Sequence, residues 1–333
     1  MTNFSTRKTV RLLMVAAAFL LIFTAGTANL FAGGGREAGP STTRLNMGGG
    51  WVTGAYYPIA GSMSRVVHLH MDGVSLTVES SGASVVNSNL IGSGDLDMAI
   101  VQNDVASYAY NGRNAWDGNP ITNMRGMFAL YPEPVQLVAR EGSGINSPSD
   151  LAGKRVALGP LGSGATVNAM QVLEAAGLTE NDLAVAERLE PSEAADFLRD
   201  GRIDAAFFTV AIGGAVIADL AVTQDIKIVP ISGQYAERLM AMEDFYAVVT
   251  IPGDAYSGVA EAQTVGVVSI VVAREDLSDD IVYNFMTAIF DNIGIVHSAH
   301  SQARWITVES GLDGMPIPLH PGAERFFAGK GMR

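Results

Sequence analysis

The sequence predicts an α/β chain folded in two halves that face one cleft, and three observations in its 333 residues carry that expectation. The first is the stretch Leu45 to Ala60, LNMGGGWVTGAYYPIA. There a short apolar run meets Gly48, Gly49 and Gly50, passes Thr53-Gly54-Ala55 and opens a helical spacing at Tyr56-Tyr57-Pro58. The second is the return of that grammar from Arg155 to Thr166: an apolar run, the glycines Gly159, Gly162 and Gly164, then Ser163-Gly164-Ala165 and a helical run through Leu173. The third is a matched pair further on, where Gly94-Asp-Leu-Asp97-Met-Ala99 aligns with Gly201-Arg-Ile-Asp204-Ala-Ala206. Thr53 precedes Asp97 by 44 residues and Ser163 precedes Asp204 by 41, so the two halves follow one plan.

Strand, glycine loop and helix together make a binding device. Glycine permits positive φ and lets the backbone come close to another molecule. Pro58 suits a first helical turn, where its missing N–H costs nothing. The free amides and positive end of each helix then face whatever lies in front of the loop. The chemistry suggested is capture of a small anionic or polar group.

The N-terminus has the layout of a secretory signal peptide, residues 1–32. Arg7, Lys8 and Arg11 precede twelve apolar residues, Leu12 to Phe23, and the small-residue region Ala25-Gly-Thr-Ala28 follows. Cleavage fits near Ala28 or Ala32; an uncleaved leader would leave the protein anchored, since Leu12 to Gly35 is uncharged and a span needs roughly 20 apolar residues. Residues 33–44 read as a linker. The chain has no cysteine, which excludes disulfides, thiolate metal sites and a lipid-bearing cysteine. Losing the leader's three positive charges takes the net charge from −13 to −16. Such a surface disfavours nucleic acid and anionic membrane. An anionic ligand must therefore be held by local dipoles against the global field.

Along the chain, Arg65 to His70 closes the first helix and Val74 to Glu79 alternates as a strand. Ser80-Ser81-Gly82-Ala83-Ser84 leads into a helix from Val85 to Ile91, with serines well placed as caps. Met98 to Val101 is a buried strand, and Gln102-Asn103-Asp104 stands at its carboxyl end, where ligands of open α/β sheets sit. Asp104 serves there either as a helix cap or as a ligand group. Met127 to Tyr131 and Val135 to Arg140 read as two strands joined by a stiff bend, Pro132-Glu133-Pro134, the first crossing between halves. Ser192 begins a helix ending at Gly201, and Ala205 to Thr209 is a strand. Ala211 to Leu220 is helical, Ile226 to Ile231 a strand and Tyr235 to Met242 a helix. Tyr246 to Ile251 and Thr264 to Ala273 are strands returning to the first half. Asp280 to His300 reads as one long amphipathic helix, and Ala323 to Gly329 as the last.

Catalytic and metal patterns fail on their spacing. The loop Gly159 to Gly164 lacks the Gly-Lys-[Ser/Thr] of a phosphate cradle, because Ala165 stands at the lysine position. Ser163 is flanked by Leu161 and Ala165, so the nucleophile elbow is incomplete. His68 and His70 lie two apart and point to different sides of a helix. The expectation is no catalytic residue, no metal and no cofactor. Tyr56 and Tyr57 have two readings, core packing or a ligand wall with a hydroxyl handle.

Several motifs in order resemble the TAXI family, the solute receptors of TRAP transporters. They are Gly49-Gly50-x-x-Thr53-Gly54-x-Tyr56-Tyr57-Pro58, Ser81-Gly82-Ala83-Ser84-x-x-Asn87, Val101-Gln102-Asn103-Asp104 and Leu130-Tyr131-Pro132-Glu133. Gly153-Lys154-Arg155-Val156, Gly159-Pro-x-Gly162-Ser163-Gly164, Asp204-Ala-Ala-Phe207-Phe208 and Pro318-Leu-His320-Pro321-Gly322 complete the set. The resemblance runs from about Leu45 to the C-terminus. It departs at Ala55, where the family usually has glycine, and at Asn103, where serine is common.

The resemblance implies a two-lobed periplasmic binding protein of the type II fold with a ligand cleft between its lobes. Lobe I would comprise 45–133 with 252–333, and lobe II 134–251. The implied function is extracytoplasmic: trapping a small carboxylate or amino acid, glutamate-like, by hinge closure and delivering it to TRAP membrane permease subunits. By position, Gly54, Tyr56, Tyr57, Ser81, Ser84, Asn87, Gln102 and Asp104 would line the first lobe, and Ser163, Gly164, Thr166 and Phe208 the second. The alternatives are a ligand-sensing module feeding a receptor and a hydrolase on the same fold, for which no base–nucleophile pair stands near the loops.

Overall fold

The computed structural model describes residues 42–332. The expected leader, 1–32, and the expected linker up to residue 41 lie outside the described residues. β1 (Thr43–Gly48) starts within the last residues of that linker. It is followed by α1 (Tyr56–His70), β2 (Val74–Glu79), α2 (Ser84–Ser93), β3 (Met98–Gln102) and α3 (Asn103–Asn111). The long strand β4 (Met124–Arg140) leads out of this half.

The second half holds β5 (Arg155–Ala157), α4 (Gly164–Ala175), β6 (Val185–Glu187), α5 (Pro191–Arg199) and β7 (Ala205–Thr209). α6 (Ala215–Thr223), β8 (Ile226–Val229), α7 (Gln234–Met242) and β9 (Ala247–Ile251) follow. A second long strand, β10 (Ala262–Arg274), leads back to α8 (Asp279–Asp291), α9 (Ile293–His297) and α10 (Pro321–Gly329). Among the described residues no helix is long and apolar enough to cross a membrane.

In the first lobe β1 pairs in parallel with β2 and β3, and β10 lies antiparallel between β3 and β4. In the second, β5 pairs in parallel with β6 and β7, while the far end of β4 runs antiparallel to β7 and β8. Each sheet buries both faces. Met47, Phe128, Phe285 and Phe326 fill one side of the first and Ile91, Val101, Tyr108 and Ile270 the other. Leu137, Val172 and Phe207 fill one side of the second, and Val138, Leu198 and Phe208 the other. The apolar strands carry little alternation because both faces are covered by helices.

The structure differs from the sequence expectation at three places. Pro132-Glu133-Pro134 is not a bend between strands but part of one continuous β4, since a proline φ fits extended backbone. The chain also leaves the second lobe later than residue 252. Ile251, Tyr256, Val259 and Ala262 pack in the second lobe's core, and Val265 and Val267 of β10 do the same, so the crossing falls inside that strand. Finally, the expected helix from Asp280 to His300 breaks at Asn292, where φ is −121°. The Asn292 side-chain amide donates to the Ala288 carbonyl at 2.9 Å, a local bond that competes with helix continuation.

The Pro318 to Gly322 motif is a structural lock. Buried His320 caps α10, its Nδ1 accepting from the Gly322 N–H (3.1 Å) and its Nε2 lying 2.9 Å from the Leu277 carbonyl. A Cβ on Gly322 would stand 2.4 Å from the Asp279 carbonyl and 2.9 Å from Val282 Cβ, so α10 could not reach α8. Gly322→Ala is expected to cost about 1–3 kcal/mol, as overpacking of a tight contact does, read as a lower urea midpoint at unchanged slope.

Candidate functional site

A cavity of about 160 Å³ lies between the lobes. At the roughly 30 Å³ that one water takes up in the liquid, this is the room of about five waters. The first lobe contributes the loop Gly50 to Tyr56, Ala83, Ser84, Gln102, Tyr131, Glu133 and His300; the second contributes Ser163 to Ala165, Pro191, Ser192, Thr209 to Ala211 and Gly214 to Val216. Thr53 and Ser163, one from each glycine loop, share this wall.

The first residues of α1, α2, α4, α5 and α6 all stand on it. A helix start has amides without intrahelical partners and a partial positive charge. Neither α1 nor α6 has a side-chain cap. α2 enters through Ala83, a non-glycine residue at φ 67°, a strained conformation that the surrounding structure must hold. Five helix starts therefore stand on the cavity, more than the two that the sequence repeat suggests.

The lobes touch across the cleft. The Val85 and Val86 amides of α2 donate to the Gly162 carbonyl of the second glycine loop at 3.0 and 3.3 Å. Behind the cavity, Asn168 of α4 donates to Asp104 at 2.7 Å and to Tyr246 at 3.0 Å, while Gln171 bonds Tyr108. Gln102 closes the contact. A Cβ on Gly164 would fall 1.6 Å from Gln102 Oε1, so only glycine admits that side chain at the start of α4.

Glu133 is the charged group of the wall that the family motif contained and the expected site set omitted. It is buried, and the Tyr56 hydroxyl donates to its Oε2 at 2.7 Å. Burial pushes its carboxyl up to about 8; the Tyr56, Gln102 and Tyr131 side chains pull it down, and the nearby Asp104 adds a further push upward. Asp104 is itself raised to about 7, chiefly by burial. Burial lowers His300. Gln102 Oε1, Tyr131 Oη and Thr209 Oγ1 are buried without hydrogen-bond partners among the described residues. A buried polar atom left unpaired costs about 1–3 kcal/mol.

Six of the twelve expected site residues line the cavity: Gly54, Tyr56, Ser84, Gln102, Ser163 and Gly164. The other six do not, each for a visible reason. Tyr57 packs on Gly49, whose Cβ would lie 3.1 Å from the Tyr57 Cα. Ser81 Oγ accepts from the Ala83 amide and shapes the turn before α2. The Asn87 amide donates to the carbonyls of Gly48, Gly49 and Ile100, pinning the first glycine loop to β3. Asp104 faces Asn168 behind the wall. Thr166 spends its hydroxyl on the Pro160 carbonyl at 2.7 Å. Phe208 lines a separate void of about 20 Å³ beneath Trp51 and Pro191.

Even Ser163 is partly committed: its Oγ accepts from the Thr166 amide and donates to Pro160, so it caps α4. Thr209, Tyr131 and Glu133 join the site through β4 and β7. A single acid amid the apolar run Met127 to Ala139 is the sequence signal that could have found the last of these.

The raised carboxyls fix a pH dependence of stability. A folded-state value above the unfolded one means that the native protein holds a proton the unfolded chain releases. The contribution is full below about 4.5 and is lost as pH rises through about 8. The melting temperature of the ligand-free protein is expected to fall between pH 5 and pH 8.5, and Glu133→Gln to flatten that slope. A wild-type slope unchanged in the variant would remove Glu133 from the account.

Comparison with known proteins agrees with this geometry. A phosphonate-transporter binding component from Pseudomonas aeruginosa superposes with a TM-score of 0.52 at 13% identity, covering 82% of this chain and 83% of that one. A putative L-cystine ABC transporter protein from Listeria monocytogenes gives 0.50 at 14% identity, covering 81% and 98%. At such identities the likeness is one of fold, the two-lobed α/β fold of periplasmic binding proteins. The NMT1-like family model matches residues 47–331, and the chain belongs to that family.

Proposed function

We propose that this protein is an extracytoplasmic solute receptor that closes its two lobes on a small carboxylate or amino acid and delivers it to TRAP membrane permease subunits. The observation that carries the proposal is the cavity between the lobes, on which five helices start and where three buried polar atoms lack partners among the described residues. Helix starts at this density suit a carboxylate, which accepts from several amides at once. The assignment to TRAP permeases, and the periplasmic location, rest on the TAXI motifs in the sequence.

The topology supports closure by hinge bending: among the described residues β4 and β10 are the strands that run through both lobes. Each hydrogen bond to a charged solute group adds about 1.5–3 kcal/mol. Four or five of them, less the ordering costs, reach about −8 kcal/mol, the micromolar range.

A thermal-shift panel of amino acids, dicarboxylates and keto acids tests the proposal. A ligand at a hundred times its dissociation constant should stabilise the fold by about 2.7 kcal/mol. Gln102→Ala and Thr209→Val are each expected to weaken that ligand roughly 10- to 150-fold while the unliganded protein keeps its fold by circular dichroism. Full affinity in both variants would mean that the solute binds elsewhere.

A further inference from the structure

We infer that Glu133 determines specificity: the solute brings a protonated amine to Glu133, between Gln102 Oε1 and Tyr131 Oη, and Glu133 releases its own proton as the amine docks. The inference rests on the solute-receptor proposal and narrows its ligand to a small zwitterion, with the carboxylate on the helix starts and the ammonium on β4.

Three observations point this way. First, among the described residues no lysine or arginine lines the cavity, and Glu133 and His300 are its titratable groups apart from the tyrosines, with the Asp104 carboxyl as a further acidic neighbour of Glu133. Second, this end of the cavity is rich in acceptors. Tyr56 already donates to Glu133 Oε2, and Gln102 Oε1 is buried with nothing to accept from. An ammonium has three donors and no acceptor, which matches Glu133, Gln102 Oε1 and Tyr131 Oη together. Third, Glu133 sits on β4 where that strand passes between the lobes. The second lobe's part of the wall differs: α4 and α6 begin there, and α6 has no side-chain cap.

Proton balance follows from the surroundings of Glu133. Tyr56 faces it from α1, Gln102 from the end of β3 and Tyr131 from its own strand, with Asp104 at the start of α3 as the further acidic neighbour. Both tyrosines titrate well above neutrality. With its carboxyl near 8, unliganded Glu133 is protonated at pH 6.5. Docking R–NH3+ leaves the amine charged, turns the carboxylic acid into a carboxylate and sends one proton to solvent. Affinity should then rise about tenfold per pH unit below that value and level off above it.

The experiment is calorimetric titration of the protein with two sets of probes. One is the twenty common L-amino acids; the other is the corresponding carboxylates lacking the amine, such as glutarate for glutamate. The best binder is titrated at pH 6.5 and 8.5 in phosphate and in Tris, whose ionisation heats differ, and again with Glu133→Gln. The expected result is an amino acid as best binder, release of about one proton at pH 6.5 and little at 8.5. Glu133→Gln, nearly isosteric with the protonated acid and so expected to fold, should lose at least tenfold in affinity for the amino acid and nothing for its amine-free partner. A best binder without an amine, or binding at pH 6.5 with no proton release, overturns the inference and leaves the solute-receptor proposal standing. No binding by either set removes both.

Discussion

Two strands hold this molecule to its task. β4 and β10 lie antiparallel from Met124 to Pro134 and pass through both lobes, so every other element hangs from one side or the other of this ribbon. The ribbon must be buried, because parallel strands flank it in each lobe and helices cover both faces. Glu133 lies on it, at the point where the lobes meet. A carboxyl in that position is costly to ionise in the closed, unliganded protein, and burial accordingly raises its pKa. The same burial makes it a strong partner for a cation that displaces its proton.

The wall around that carboxyl is assembled from short-range rules applied many times. A strand ends, the chain turns through glycine or a strained residue, and a helix begins with its amides toward the cleft. Ala83 at φ 67° shows that the geometry matters more here than local backbone comfort. Asn87, Ser81 and Thr166 tie the turns down, each bonded to backbone within one lobe. They keep the loops in place and leave the solute to others. Gly164 serves differently: by having no Cβ it lets Gln102 of the opposite lobe close over the start of α4.

Closure also engages groups away from the solute. Asp104, Asn168, Tyr246, Gln171 and Tyr108 form a buried chain between α3 and α4, and Arg113 pairs with Glu243 at its edge. Such a network is well satisfied only when the lobes are together, since each lobe supplies part of it.

The amino-acid sequence by itself determined the α/β class, the duplicated strand–loop–helix units and the convergence of Thr53 and Ser163, because local periodicity and glycine placement encode them. It also marked Gln102 and Ser84 as wall residues through their position at strand ends and helix starts. What only the tertiary structure decided was the division of labour within each motif. Asn87 and Gln102 read alike in sequence, as amides beside a loop, yet one faces three backbone carbonyls and the other faces the cleft. The continuous β4, the crossing inside β10, the break at Asn292 and the place of Glu133 were hidden for the same reason. Each depends on which distant strand or helix lies alongside, and no local spacing records that partner.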